Sequence, residues 1–254
     1  MKFGGASLAS PHHIQQAALT VLEVKERVGK VVVVVSAMGD MTDQLYAVAN
    51  TICTQPPERE LDMLVSSGER ISMALLAMAL KAQGCDAVSF TGSQSGIITS
   101  IDHQKARIKD LKLERIQKAL DEDRIVIVAG FQGMSLNREI TTLGRGGSDT
   151  SSVALGIGLR AKGVVFYKDV LGVYTRDPKK ESRAELLEVI SHAQACAMSE
   201  GNDFVIHHRA LVLAGKYGIP LSIQHYAREL RASASGTEII SSKVEPLTSV
   251  TGYE

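Results

Sequence analysis

The sequence predicts an α/β fold with a mostly parallel sheet covered by helices on both faces. Three observations carry this. Short runs rich in Val and Ile recur at Val31–Val35, Ala87–Phe90, Ile125–Ala129, Val164–Tyr167 and Leu221–Ile223, each the length of a buried strand. Longer stretches with helical spacing separate them, and repeated strand-helix units bury a parallel sheet from both sides. A chain of 254 residues with 44% hydrophobic content is long enough to enclose a full core as one large domain.

The first helix is signalled by Ser10 as cap, Pro11 at the first helical position and Ile14, Ala18, Val21 and Leu22 on one face. Further helices are predicted over about Leu61–Gln83, Gln104–Asp121, Ser148–Ala161 and His207–Tyr217. Gln55-Pro56-Pro57 reads as a loop, and the residues after about Arg231 are polar and poorly patterned.

Composition narrows the function classes. Lys+Arg 28 balances Asp+Glu 28, and there is no Trp, so no nucleic-acid surface is expected and a small molecule is the expected partner. The pure Val31–Val35 run is too short to span a bilayer and no signal segment opens the chain, which points to a cytoplasmic protein without a membrane partner. Cys53, Cys85 and Cys196 fit neither a disulfide framework nor a zinc site and read as buried thiols. The pairs His12-His13 and His207-His208 lack ligand spacing, so no protein-held metal is expected.

The stretch "TLGRGGSDT", residues 141–149, sets three glycines around Arg145 and closes on Ser148 and Asp149 before an apolar run. It fits neither the dinucleotide pattern nor the P-loop. Ser148 is a candidate N-cap, which would leave free amides and a partial positive charge at the helix start. By itself the stretch suits a glycine turn with a capped helix as well as an anion cradle. A second glycine turn follows Lys2 at Gly4 and Gly5.

The order of "KFGGAS", "SAMGDMTDQL", "SSGERISMALL", "FTGSQSGI", "GFQG", "TLGRGGSDTSSVAL" and "DVLGVYTRDP" resembles the aspartokinases over about residues 2–225. The resemblance implies the amino-acid kinase fold, a three-layer α/β/α sandwich. It also implies transfer of the ATP γ-phosphoryl to the side-chain carboxylate of L-aspartate, the first step of aspartate-family (lysine, threonine, methionine) biosynthesis, with Mg2+ arriving on the nucleotide. Such a transfer needs positioning and charge neutralisation rather than a covalent protein intermediate.

By the same resemblance, Lys2 sits on the transferring phosphoryl and Asp149 orients the cations around it. Arg145 holds the α-carboxylate of aspartate, a task suited to a rigid guanidinium fork, and Glu69 pairs with the substrate ammonium. Ser36, Thr42, Gly146, Gly147 and Ser148 complete the substrate side. Gly4, Gly5, Ser7, Lys168, Asp169, Tyr174 and Lys179 belong to the nucleotide side. Glutamate 5-kinase and acetylglutamate kinase are the nearest rivals, disfavoured by "GER" and "TLGRGGSDT".

Departures from the pattern cluster on the nucleotide side: Ala6 and Lys168 replace threonines, Leu171 an aspartate, Lys179 an arginine, and Phe204 falls where a second phosphate-binding lysine belongs. Lys168 reads either as an exposed lysine or as a replacement for the cation lost at Phe204. The alternative function is a kinase-fold subunit with weakened turnover that binds aspartate or regulates a partner. The catalytic domain is expected over 1–237 with a tail over 238–254. Aspartokinases continue past Gly236-Thr237 into small ligand-binding domains, so catalytic machinery without its own amino-acid sensor is expected, in a homodimer.

Overall fold

A computed structural model describes residues 1–241 apart from 177, 179, 182, 201–203 and 234. Lys179 therefore lies outside the described residues. Strand β1 (Lys2–Phe3) leads through a short 3-10 turn to helix α1 (Pro11–Val28), where the Ser10 hydroxyl accepts from the His13 amide and Pro11 opens the helix as expected. Strand β2 (Val32–Val35) is followed by α2 (Met41–Ile52), α3 (Glu58–Val65), α4 (Ser67–Ala82) and β3 (Ala87–Phe90). Next come β4 (Ile97–Thr99), β5 (Ile108–Leu111), α5 (Glu114–Asp121), β6 (Ile125–Ala129), β7 (Gln132–Ser135) and β8 (Ile140–Thr142). The second half holds α6 (Gly147–Gly158), β9 (Val164–Lys168), β10 (Val173–Tyr174), β11 (Leu186–Leu187) and β12 (Val189–Ser191). It ends with α7 (His192–Ser199), α8 (His208–Tyr217), β13 (Leu221–His225), α9 (Arg228–Ser233) and β14 (Thr237–Ile240).

The main sheet runs β12-β14-β13-β9-β1-β2-β6-β3 and is parallel except where β13 meets β14. Alternation along its central strands builds both cores. Val33, Val35, Ile125 and Ile127 join Phe3 and Tyr167 under α1 and α4, whereas Val34, Val126, Val128 and Phe166 join α5, α6 and α8 on the other face. Each such side chain taken from water contributes about 1.5–3 kcal/mol, which is why nearly pure Val and Ile runs belong here.

Several expectations are corrected. The residues Gln104–Asp121 are not one helix: Ile108–Leu111 is a strand in a second, four-stranded sheet ordered β5-β4-β7-β8, and the helix starts only at Glu114. The helix expected over Leu61–Gln83 is two, parted at Ser66; together, Glu58–Ala82 form the stretch long and apolar enough to cross a membrane, yet Val65, Leu76, Ala77 and Leu80 are buried inside the protein. Ser148 is not the cap of its helix, because Gly146 holds that place in a left-handed conformation with φ +72°. Cys53 is exposed rather than buried, and Cys85 and Cys196 are half-buried. The poorly patterned stretch after Arg231 still supplies β14, which sits between β12 and β13 inside the sheet.

Candidate active site

The site gathers at the ends of β1, β2 and β9 and the start of α6. Because successive strand residues face opposite ways, Phe3 stacks on Tyr167 at 4.6 Å in one core while Lys2 turns to the other face, beneath the first turn of α6. There its Nζ lies 2.7 Å from Oδ1 of Asp149, with both side chains nearly removed from water. Lys168, two residues beyond Phe166 on neighbouring β9 and on the same face, reaches Oδ2 of Asp149 at 3.6 Å. The His207 amide also donates to Oδ2, at 3.1 Å. Burial alone would raise the Asp149 carboxyl, but the charges of Lys2 and Lys168 and the His207 amide outweigh it and hold the group at about 2. Burial, together with the Lys2 charge, brings the Lys168 ammonium down to about 8 against the pull of Asp149.

Asp149 occupies the third position of α6, where a carboxylate is favoured by the helix dipole. The glycines before it answer to packing. A Cβ on Gly146 would stand 2.0 Å from the His207 ring, and one on Gly147 would stand 2.8 Å from the Phe131 ring. Gly5 is likewise fixed by protein, its Cα facing the Gly39 carbonyl so closely that a Cβ would come within 2.6 Å. A Cβ on Gly4 would instead look toward Lys2 Nζ at 3.6 Å, so the bare backbone beside the cations is at Gly4.

Lys2, Asp149 and Arg145 line a cavity of about 290 Å3 together with Gly5, Ser36, Thr42, Glu69, Gly146, Gly147 and Ser148, which brings all the residues expected on the substrate side around one space. Sequence reasoning missed Ala37, Gly39, Phe131 and Gly144 in that lining, and the amide of His207 beside it. Two of these act through backbone and leave no side-chain signature. The Ala37 amide donates to Oε1 of Glu69 at 3.0 Å, while Oε2, buried, has no hydrogen-bond partner among the described residues. Burial raises the Glu69 carboxyl to about 7, opposed by the Ala37 amide and the Lys2 charge. A buried acceptor left open costs about 1–3 kcal/mol, so this oxygen is poised for a donor brought by a ligand.

The remaining expected residues are placed differently. Ser7 is buried, and its hydroxyl donates to the Gly4 carbonyl at 2.7 Å, bracing the turn rather than lining the cavity. Lys168 is not the exposed lysine of the alternative reading: its side chain is 17% exposed. Asp169 is exposed just past β9, and Tyr174 lies on β10 opposite Leu186; neither lines the cavity. Phe204 packs against the α6–α8 core. Among the described residues no group of three or more His, Cys, Asp or Glu is placed to hold a metal.

Comparisons with known proteins give the family. The chain is 47% identical over 223 residues to the aspartokinase of Bacillus sp. (strain MGA3), covering 88% of this chain and 54% of that one. The crystal structure of aspartate kinase from Synechocystis superposes with a TM-score of 0.84 at 37% identity, covering 97% of this chain and 40% of that one. The structure of E. coli aspartokinase III in complex with aspartate and ADP gives a TM-score of 0.85 at 25% identity, covering 96% and 65%. The chain spans about half the length of the curated relatives it matches. Residues 1–225 match the description "Amino acid kinase family". With the α/β sandwich, its mostly parallel sheet and the matched span in agreement, this chain belongs to the amino acid kinase family.

Proposed function

We propose that this chain is the catalytic part of an aspartokinase, transferring the γ-phosphoryl of ATP to the side-chain carboxylate of L-aspartate. The observation that carries the reading is the meeting of a buried Lys2–Asp149 ion pair with Arg145 and the open oxygen of Glu69 around one cavity. The relatives called aspartokinases, and the related structure that holds aspartate and ADP, supply the substrate class.

Each residue then has a chemical task. Glu69, raised to about 7, accepts the substrate ammonium on Oε2 and completes its own hydrogen bonding. Arg145 offers two parallel donors to the α-carboxylate, fixing which end of aspartate enters. Lys2 and Lys168 carry positive charge on either side of Asp149, which offsets their mutual repulsion and holds both in place. Aligned in advance, the two cations cost no reorganisation as the phosphoryl passes to the acceptor carboxylate and negative charge builds on the departing β-phosphate of ADP. The bare backbone at Gly4 lets phosphate oxygens approach Lys2, and Ser148 at the α6 N-terminus adds an amide donor. Ser36 and Thr42 supply hydroxyl contacts from the cavity wall. Asp169, Tyr174 and Lys179 are assigned to nucleotide binding by sequence pattern. The magnesium ion supplies further neutralisation of the phosphates. A cytoplasmic homodimer completes the reading.

Incubating the protein with ATP, magnesium and aspartate, glutamate or N-acetylglutamate, and trapping the product with hydroxylamine while following ADP release, tests it directly. An acyl hydroxamate formed only from aspartate is expected. Turnover of glutamate or N-acetylglutamate in preference would overturn the assignment.

A further inference from the structure

Outside the cavity, α3 carries a fully buried carboxylate that the chemistry above does not use. Asp62 Oδ1 accepts from the Thr142 hydroxyl at 2.5 Å and from Nε2 and the amide of Gln104 at 2.7 and 3.2 Å; Oδ2 meets Nδ1 of His103 at 2.6 Å. Its partners sit at the roots of the elements that present substrate groups. Thr142 ends β8, two residues before Gly144 and three before Arg145. Gln104 also accepts from the Tyr46 hydroxyl on α2, the helix that carries Thr42. The Gln104 carbonyl packs so closely under Gly144 that a Cβ there would stand 2.8 Å away, which, with φ +69°, admits only glycine. Asp62's own helix runs at Ser66 into α4, which holds Glu69.

We infer that Asp62 is a positioning residue for the acceptor subsite, one buried carboxylate fixing the relative placement of Arg145, Glu69 and Thr42. This rests on the assignment of those three to aspartate. The physical ground is that a carboxylate accepting several hydrogen bonds has a single satisfied arrangement, and its bonds tie its own helix α3 to two other segments, β8 through Thr142 and the turn at His103 and Gln104. Arg145 extends from the glycine-rich segment between β8 and α6, where Gly144 rests on the Gln104 carbonyl, so what grips β8 and the Gln104 turn bears on where its guanidinium is carried. A displacement of about 1 Å in such a clamp is enough to lose oriented binding.

Calorimetric titration of aspartate, and separately of ATP with magnesium, into the chain and its variants tests the inference. In Asp62→Asn a donor replaces an acceptor in front of Thr142 and Gln104. Aspartate affinity is expected to fall about tenfold or more while ATP affinity changes less than about twofold. Thr142→Val keeps shape and removes one bond, and is expected to show the same selectivity at smaller size, which keeps the inference testable should Asp62→Asn fold poorly. The double variant Asp62→Asn with Arg145→Lys should be non-additive, since both changes spoil one clamp. Unchanged aspartate affinity in well-folded Asp62→Asn or Thr142→Val, or equal weakening of both ligands, would show a structural role only. Failure of the unaltered chain to bind aspartate at all would remove the functional assignment and this inference with it, whereas normal binding with indifferent variants removes this inference alone.

Discussion

Lys2 lies 2.7 Å from one carboxylate oxygen of Asp149 and Lys168 3.6 Å from the other, so a single buried acid aligns two cations from adjacent strands. That arrangement gives the lysine at position 168 a task where the sequence pattern of aspartokinases has threonine. Phe204, where the same pattern has a lysine, packs against the core on the α6–α8 face.

Lys168→Thr is therefore expected to raise the KM for ATP about tenfold while leaving the KM for aspartate nearly unchanged. Because Lys168 loses its proton at about 8 in the free protein, kcat/KM for ATP should decline as pH rises through that value. Lys168→Arg, charged at all working pH values, should move the decline upward. An ATP profile flat through pH 8 in the unaltered chain would remove Lys168 from the nucleotide side.

Lys2→Met should lower kcat at least about 100-fold, roughly 3 kcal/mol of lost stabilisation of the phosphoryl in flight, with a far smaller effect on aspartate affinity. The same change leaves Asp149 with weaker compensation. Its folded value of about 2 lies below the ordinary carboxylate value of 3.8, so its pairing stabilises the fold above pH 3.8 and loses that contribution as pH falls toward 2. In Lys2→Met this contribution shrinks and acid unfolding should begin at higher pH, measured by circular dichroism between pH 2 and 6.

Arg145→Lys should raise the KM for aspartate about 10- to 100-fold at near-constant stability, since an ammonium cannot present two parallel donors to a carboxylate. Steady-state kinetics with aspartate varied at saturating ATP measure this. An unchanged KM would place the α-carboxylate elsewhere.

Much of the main sheet could be read from the sequence, for a physical reason: a strand buried along its whole length must be almost purely apolar, so Ile125–Ala129 announced its own limits. The second sheet did not. Its strands are three or four residues long and include polar pairs such as Lys109-Asp110 and Thr141-Thr142, and the buried Thr142 hydroxyl is satisfied by the distant Asp62. Long-range pairing of that kind leaves no periodicity, and the residues before α5 pass for the start of a helix. The Ser148 cap was misplaced for a related reason. A left-handed Gly146 pressed against the His207 ring is a tertiary constraint, which the local pattern Gly-Gly-Ser-Asp does not reveal. The amides of Ala37 and His207, which donate to Glu69 and Asp149, belong to residues whose side-chain identity carries no signal.

The last prediction concerns Glu69, whose folded value of about 7 lies above its ordinary 4.5 because burial opposes its charge. The folded chain thus holds a proton that the unfolded chain has released between pH 4.5 and 7. Stability from this group is complete below 4.5 and is lost as pH rises through 7, a change on the order of 3 kcal/mol. Aspartate reverses the preference: its ammonium binds the charged form, so aspartate affinity should rise as pH goes from 6 to 8, and the bound ligand should recover part of the stability lost. Glu69→Gln keeps the size and the Ala37 contact but cannot ionise. It should flatten both dependences, equal or exceed the unaltered chain in thermal stability at pH 8, and bind aspartate weakly at every pH. Thermal melts at pH 5 and 8, with and without aspartate, separate these effects; an aspartate affinity that is independent of pH in the unaltered chain would mean that the substrate ammonium does not meet the open oxygen of Glu69.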